Sequence, residues 1–183
     1  MGSKTKKRKL TTVKVRRMLK ADIPQVAEIE EKCLFEDPWN EGIFAECFEE
    51  FGYKNYVAEH KGKIIGYMVY MELDDSIEIM NLAIDPKYHR RSVGTQMLNA
   101  LKGNLQGMRK DGIEYLVHAD NLDGLRFLKS QKFRAVDICP TQRSELDAKS
   151  GEVIYGPLEE NYWMRYTPNK FSPENRISKY WDV

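Results

Sequence analysis

The sequence has few of the residues that build disulfide frameworks and metal centres, and it has no long apolar run. It contains three cysteines, Cys33, Cys47 and Cys139, and three histidines in 183 residues. Thiols this few and this far apart indicate reduced side chains rather than a disulfide framework or a zinc site. No segment approaches the ~20 consecutive apolar residues of a membrane-spanning helix, and the basic N-terminal segment lacks the apolar core of a secretory signal. We therefore expect a cytoplasmic protein with no metal ion and no membrane partner.

Charge is almost balanced over the whole chain, with a formal net charge of +1, but it is unevenly distributed. Residues 1–20 carry nine Lys and Arg and no acidic residue, whereas residues 21–50 carry ten Asp and Glu and one Lys. Residues 1–10 have almost no apolar side chains to bury, so they are predicted to be a disordered basic tail. The tail leaves open a ribosome- or nucleic-acid-associated module, although nucleic acid is not an expected partner. The acidic block at 28–50 is expected either to attract cationic ligands or to form a solvated helix face.

Apolar periodicity divides residues 11–167 into seven strands and four helices. The first strand is predicted at Thr11–Leu19, and the whole order is β-α-α-β-β-β-α-β-α-β-β. Strands and helices mixed in this way predict one α/β (α+β) domain, with a single mixed, mostly antiparallel sheet flanked by the helices. Residues 141–157 are polar and are predicted to be a long loop between the last two strands. Residues 168–183 are predicted to be a polar C-terminal tail.

Short polar residues and glycine mark the predicted helix ends. Asp22 and Gln25 have the spacing of a capping box at the first helix. Asn40 and Asn121 are predicted to cap the second and fourth helices, and Gly112 is predicted to follow the end of the third. These signals place the turns that connect the helices to the strands.

The stretch from Met80 to Thr95 combines the end of a strand, a basic turn and the start of a helix. The apolar strand is predicted to end at Asp85-Pro86, because proline cannot donate to a strand ladder. Arg90 and Arg91 follow, and an amphipathic helix starts at Val93. Free amides and the positive end of the helix dipole, together with two guanidinium groups, suit a diphosphate. The alternative is an ordinary strand-to-helix turn with solvated arginines.

This basic turn, His89-Arg90-Arg91-Ser92-Val93-Gly94, resembles the acetyl-CoA loop of GNAT N-acetyltransferases, whose pattern is Gln/Arg-x-x-Gly-x-Gly/Ala. His89 stands at the Gln/Arg position and Ser92 at the first glycine. Within that family, Phe35-Glu36-Asp37-Pro38-Trp39-Asn40-Glu41 is similar to the Phe-x-x-Pro-Trp-Ser/Asn-Glu segment of the ribosomal-protein-alanine N-acetyltransferases. Asn81-Leu82-Ala83-Ile84-Asp85-Pro86 is similar to their Asn-Ile-Ala-Val-x-Pro strand. The resemblance covers roughly Val13 to Tyr166.

The resemblance implies an acetyl-CoA-dependent enzyme that acetylates the α-amino group of a protein N-terminus, with ribosomal proteins among the candidate acceptors. It implies that the backbone of Leu82, Ala83 and Ile84 pairs with the pantetheine arm, as an edge strand accepts an extra strand. Asn121 would hydrogen-bond the same arm. The residues implied around the diphosphate are His89, Arg90, Arg91, Ser92, Val93, Gly94 and Thr95.

The sequence departs from the family at both positions that handle protons. Leu116 stands where the family has a general-base Glu, and Leu128 stands where it has a general-acid Tyr. His118 lies two residues beyond Leu116, so the two side chains share one face of the predicted strand. With a reference pKa of ~6.5, an imidazole there could take a proton from an ammonium group. His118 is therefore the predicted catalytic residue.

Two alternatives stay open at this point. His118 could merely replace the family's Arg or pair with Asp120, with no part in catalysis. The loss of both proton-handling side chains also fits a catalytically degenerate GNAT-fold protein, which would bind CoA or a protein partner without turnover. Lys132, where the family has the glycine of a Gly-Phe pair, is a further departure.

Overall fold

The computed structural model divides into two compact units, the first ending at Lys110 and the second beginning at Asp111. The residues that the structure describes are 10–33, 38–146 and 153–168. Within these ranges, four α-helices and seven β-strands follow one another in the predicted order, with two short 3-10 turns added. The order of the elements confirms the predicted α/β fold class. In these ranges no helix has the length and apolar character needed to cross a membrane.

Some sequence predictions fall on segments outside the described ranges. They are the basic tail at residues 1–9, nearly all of the C-terminal tail, and residues 34–37. The segment 34–37 carries the first half of the Pro-Trp resemblance. Those predictions stay predictions.

Four antiparallel strands form the sheet of the first unit. They are β1 (Lys14–Arg17), β2 (Tyr53–His60), β3 (Lys63–Glu72) and β4 (Ser76–Ile84), each paired with the next. The β2–β3 hairpin turns at Lys61 and Gly62, whose φ angles of 51° and 75° are both left-handed. A two-residue hairpin turn that matches strand twist needs this conformation.

Three helices pack in the first unit, namely α1 (Ile23–Cys33), α2 (Glu41–Glu49) and α3 (Val93–Met108). The α1 and α2 helices share an apolar cluster with the strands, which includes Val26, Ile29, Phe44, Tyr67 and Val69. One stripe of α3 is fully buried at Val93, Met97, Leu101 and Leu105. This is the stripe that a period of 3.6 residues predicts.

Both predicted asparagine caps are confirmed. The Oδ1 atom of Asn40 accepts a hydrogen bond from the Ile43 amide at 3.1 Å, at the start of α2. The Oδ1 atom of Asn121 accepts one from the Gly124 amide at 2.9 Å. Each satisfies an amide that the first turn of a helix leaves without a partner.

Two other predictions of helix ends are wrong. Asp22 lies in a 3-10 turn before α1, where its carboxylate accepts from the Leu19 amide at 2.7 Å, while Gln25 accepts from the Ile64 amide at 3.3 Å. Gly112 belongs to the following strand, and the left-handed residue after α3 is Arg109, with φ 56°. Gln25 takes part in a tertiary contact and Gly112 in strand pairing, whereas Asp22 accepts from an amide three residues before it.

The second unit contains β5 (Gly112–His118), α4 (Leu122–Ser130), β6 (Arg134–Leu146) and β7 (Val153–Tyr166). The β7 strand pairs antiparallel with both β5 and β6. The predicted loop at residues 141–157 is wrong, because β6 continues to Leu146 and β7 already begins at Val153. Backbone pairing such as Gln142 with Leu158 extends this hairpin. A solvated hairpin needs no apolar alternation, so its polar sequence gave no strand signal.

Candidate functional site

The basic turn lies between β4 and the first residue of α3. Arg90 and Ser92 both have left-handed backbone, with φ angles of 60° and 66°. The side chains of Arg90 and Arg91 are exposed, and the Arg91 guanidinium carbon lies 5.4 Å from the centre of the Tyr88 ring. Val93 begins α3, so the first amides of that helix point into the turn without partners inside the helix. The turn therefore has the charge and the oriented amides that an anion requires.

The end of β4 is the segment expected to pair with a pantetheine arm. Leu82, Ala83 and Ile84 are all half-buried. The carbonyl oxygen of Ile84 already accepts two hydrogen bonds, from His89 Nε2 at 2.7 Å and from Cys33 Sγ at 3.2 Å. Both lone pairs of this oxygen are used, and the backbone of Ala83 faces Tyr67 in the β3–β4 register. Leu82 is therefore the better candidate for accepting a ligand's amide group. His89 folds back onto β4 and closes the turn.

The Cys33 thiol that contacts Ile84 is a donor and not a nucleophile. Burial raises its pKa to about 11, and the neighbouring Glu30 carboxylate adds to the effect. At neutral pH the thiol is therefore protonated and donates its S–H to the carbonyl oxygen of Ile84. This contact ties the last residue of α1 to the last residue of β4.

A buried carboxylate that sequence analysis missed lies beside the same strand. Glu30 of α1 is fully buried, and its oxygens accept from the Tyr67 hydroxyl, from Asn81 Nδ2 at 2.9 Å and from the Trp39 amide at 3.3 Å. The signal was present in the sequence, because Glu30 follows Val26 by four residues and precedes Cys33 by three. That spacing puts it on the apolar face of α1. Glu30 thus joins α1 and the segment before α2 to β3 and β4.

His118 is the last residue of β5, in the second unit. Its Nδ1 accepts a hydrogen bond from the Asp120 backbone amide at 3.2 Å, and its Nε2 lies 3.4 Å from Glu159 Oε2 on β7. The Asp120 carboxylate is further away, at 3.9 Å. Because Nδ1 accepts an N–H, the neutral ring carries its own proton on Nε2, facing Glu159. Glu159 was missed because the β5–β7 register, which pairs His118 with Asn161, is not a local property.

The remaining predicted positions of the second unit have simpler surroundings. Asn121 uses its Oδ1 atom to cap α4, which leaves its amide nitrogen as the group able to donate to a ligand. Leu128 is fully buried in the core, and Leu116 is half-buried on β5. Neither leucine can transfer a proton. The described ranges bring together no group of three or more His, Cys, Asp or Glu side chains able to hold a metal ion.

Residues 23–133 match the family model described as the acetyltransferase (GNAT) family. The [ribosomal protein bS18]-alanine N-acetyltransferase of Escherichia coli (strain K12) is 26% identical over 136 residues, which cover 73% of this chain and 88% of the relative. The crystal structure of the ribosomal-protein-S18-alanine N-acetyltransferase from Escherichia coli aligns with a TM-score of 0.68 at 22% identity, covering 91% of this chain and 99% of that chain. The crystal structure of Arabidopsis thaliana NAA60 in complex with acetyl-CoA aligns with a TM-score of 0.66 at 16% identity, covering 86% of this chain and 99% of that chain.

The two solved structures confirm the predicted fold. The family model spans more than half of the sequence, and it contains the basic turn, β4 and Asn121. The chain belongs to the GNAT family of acetyltransferases.

Proposed function

We propose that this protein is an acetyl-CoA-dependent N-acetyltransferase that transfers an acetyl group to the α-amino group of a protein N-terminus. The observation that carries the proposal is the left-handed basic turn between β4 and α3, with Arg90 and Arg91 at the start of a helix. In the proposal, this turn, from His89 to Thr95, binds the diphosphate of the donor. Leu82 and the amide of Ile84 pair with the pantetheine arm, and the Asn121 amide nitrogen donates to it.

The reaction that these residues would support is direct attack on a thioester. The acceptor ammonium gives up one proton, its nitrogen forms a bond to the acetyl carbon, and the carbon–sulfur bond breaks. The CoA thiolate leaves, and the new amide nitrogen loses its second proton. Holding the amine and the thioester close together in a reactive orientation can supply much of the rate enhancement. Turnover is therefore compatible with leucine at positions 116 and 128, where the family has Glu and Tyr.

His118 is the proposed proton acceptor. Its unprotonated nitrogen is Nδ1, which would exchange the hydrogen bond from the Asp120 amide for the acceptor's proton. The imidazolium that results would have Glu159 at 3.4 Å from Nε2, and the negative charge there would stabilise it. General-base assistance of this kind contributes about 100-fold or more to a rate.

A protein N-terminus is proposed as acceptor because the Escherichia coli relative is named for acetylating an alanine of ribosomal protein bS18. The acidic block offers less steering than its composition suggests, since Glu28 pairs with Lys32 at 3.3 Å and Glu49 with Lys20 at 2.6 Å. Glu30 is buried. Among the described residues of the block, the exposed carboxylates left to attract a cationic acceptor are those of Glu31, Glu41, Glu46 and Glu50.

The proposed acetyltransferase domain comprises residues 11–167, between a basic tail at 1–10 and a polar tail at 168–183. The proposed location is the cytoplasm, where acetyl-CoA and nascent or ribosomal proteins are both available. No membrane or nucleic-acid partner is part of the proposal.

A second function is favoured by one observation, the replacement of both proton-handling side chains by leucine. A GNAT-fold protein with Leu116 and Leu128 could bind CoA or a protein partner without turnover. This candidate differs from the first in that no acetyl group is transferred. A measurement of CoA binding therefore does not distinguish the two functions.

The experiment is an assay for CoA release with a panel of short peptides, run beside calorimetry of CoA binding. Each peptide is paired with the same peptide carrying a blocked α-amino group. We expect CoA binding, together with turnover on free but not on blocked peptides. CoA binding without turnover on any peptide would favour the second function, and no binding at millimolar CoA would exclude both donor-dependent functions.

A further inference from the structure

The residues before β1 bind to the basic turn instead of extending the first strand. Thr11 to Val13, which we call the strap, belonged to the predicted strand, but pairing with β2 begins only at Lys14. The Thr11 amide donates to the carbonyl oxygen of Arg91 at 3.1 Å, and the Thr11 side chain is buried. The strap is therefore packed against the turn that is proposed to bind the diphosphate.

The carboxamide of Gln96, in the first turn of α3, fastens the strap to the turn. Its Oε1 accepts from the Val13 amide at 3.1 Å, and its Nε2 donates to the Thr11 carbonyl oxygen at 2.7 Å. The same Nε2 donates to the carbonyl oxygen of Ser92 at 3.0 Å. The Gln96 side chain thus satisfies backbone groups of the strap that a neighbouring strand would otherwise pair with, and it also bonds to the basic turn.

A second connection runs through aromatic side chains. His60 Nδ1 donates to the carbonyl oxygen of Thr12 at 2.9 Å, and the His60 ring meets Tyr88 edge to face with centroids 6.2 Å apart. Tyr88 in turn lies under the guanidinium of Arg91. The strap is therefore also connected to Tyr88, and through it to Arg91, by His60.

The turn needs such support because of its backbone. Arg90 and Ser92 adopt left-handed φ angles that side chains with a Cβ disfavour, and such conformations persist only where surrounding contacts hold them. A glycine at position 92 would adopt the same φ at no steric cost. Gln96 donates to the carbonyl oxygen of Ser92, one of the two left-handed residues, and the Thr11 amide donates to that of Arg91, which lies between them.

We propose that Gln96 is a positioning residue, and that Gln96 and the strap together hold the basic turn in its anion-binding conformation, the task that a glycine at position 92 would otherwise perform. The inference rests on the proposed function, because the anion concerned is the diphosphate of CoA. It adds a residue outside the turn, and the N-terminal strap, to the determinants of donor affinity.

The test is a double-mutant cycle between Gln96→Leu and Ser92→Gly, with CoA affinity measured by calorimetry. Leucine keeps the approximate size of glutamine and removes all three hydrogen bonds. We expect Gln96→Leu to weaken CoA binding by about tenfold, the ratio that the loss of one or two net hydrogen bonds produces. In the Ser92→Gly background the same change should cost less than about threefold, because glycine holds the turn unaided. Asn99→Ala, an exposed change on the same helix, is the control and should leave affinity unchanged.

A general loss of stability would weaken CoA binding equally with and without Ser92→Gly. A second variant keeps the inference testable if Gln96→Leu fails to fold. Thr11→Pro removes the amide that donates to Arg91, together with the Thr11 side chain, and leaves Gln96 intact; it should weaken CoA binding by about threefold or more. Wild-type affinity in Gln96→Leu, or an equal loss with and without Ser92→Gly, would overturn the inference.

Hydrogen exchange of the turn amides separates this inference from the proposed function. If wild-type protein binds no CoA, the proposed function fails and the binding role of Gln96 fails with it. Faster exchange at residues 91–94 in Gln96→Leu would then mark a purely structural clamp. If wild-type protein binds CoA but neither exchange nor affinity responds to Gln96→Leu, the proposed function stands and the positioning role is wrong.

Discussion

Ser92 and Lys132 both stand where the family's sequence pattern has glycine, and both keep the left-handed backbone of a glycine, with φ angles of 66° and 68°. At both positions the backbone therefore adopts a conformation suited to glycine although the residue carries a Cβ. Each residue carries the steric cost of a Cβ in this region, which is about 1–2 kcal/mol.

Replacing either residue by glycine should stabilise the protein. For Ser92→Gly and Lys132→Gly we expect a gain of about 0.5–1 kcal/mol, because relief of the Cβ contact exceeds the added chain entropy of glycine in the unfolded state. Urea unfolding measures the change. Lys129→Gly, on the exposed face of α4, is the matched control and should lose about 1 kcal/mol. Destabilisation by Lys132→Gly as large as that of the control would contradict the argument.

The buried carboxylate of Glu30 should be more sensitive to shape than to charge. Glu30→Gln can still accept from Trp39 and Asn81 and can donate to the Tyr67 oxygen, so we expect a loss of only about 1 kcal/mol. Glu30→Leu removes the acceptor of three hydrogen bonds and should cost about 3 kcal/mol or more. The exposed Glu31→Leu on the same helix should change the free energy of unfolding little. Equal effects of Glu30→Gln and Glu30→Leu in urea unfolding would show that the donors find other partners.

Asp22 should make stability depend on pH in the acid range. The two hydrogen bonds from Arg16, at 2.7 and 3.0 Å, hold the pKa of this carboxyl below its usual 3.8, with a further contribution from the Leu19 amide. A lowered folded-state pKa adds stability that is fully present above the unfolded value and is lost as pH falls through the folded value.

The measurement is the free energy of unfolding of wild type and Asp22→Asn from pH 7 to pH 2. Wild type should be more stable by about 1–2 kcal/mol at pH 7, and the difference should shrink below about pH 4. Asp75→Asn, an exposed change in a turn, should give a small difference at every pH. If the difference in free energy of unfolding between wild type and Asp22→Asn stayed constant down to pH 2, the Asp22 carboxylate would not be the cause of the pH dependence.

The proposed base is tested by turnover compared with binding. His118→Ala should lower kcat by about 100-fold without changing CoA affinity, because His118 acts on the acceptor's proton. Glu159→Gln keeps an acceptor near Nε2 but removes the charge, and we expect about a tenfold loss of kcat. Unchanged turnover in His118→Ala would remove His118 and leave water or the acceptor itself as the base. An inactive wild type that gains activity as Leu116→Glu with Leu128→Tyr would establish the binding function instead.

Signals within one element account for what the sequence could predict. The order of strands and helices, the Asn40 and Asn121 caps and the buried stripe of α3 all depend on residues at most a few positions apart. The basic turn was found in the same way, from a proline, two arginines and the start of an amphipathic pattern. Local sequence was therefore sufficient to predict the fold class and to locate the basic turn of the candidate site.

The features that escaped prediction depend on pairing between distant segments. The extension of the β6–β7 hairpin, the contact of Glu159 with His118 and the departure of Thr11 from the first strand each follow from a register or a tertiary hydrogen bond. Glu30 is an intermediate case, because its helical face was readable but its partners Tyr67 and Asn81 were not. All of these features involve polar residues. The partners of a polar side chain depend on the tertiary structure and leave no periodic pattern in the sequence.

The strap also has a consequence for the order of folding events. Gln96 and Thr11 are 85 residues apart in sequence, so the contact that holds the basic turn closes a loop nearly as long as the first unit. Loop closure of that length is entropically costly, and non-local contacts of this kind tend to form after local ones. A turn made with glycine could form as soon as α3 forms. In the proposal, this turn becomes ordered only after residues 11–13 have packed against it. We expect Gln96→Leu to accelerate unfolding and to leave the refolding rate nearly unchanged. The basic turn would then acquire its proposed anion-binding conformation only after the folding barrier is crossed.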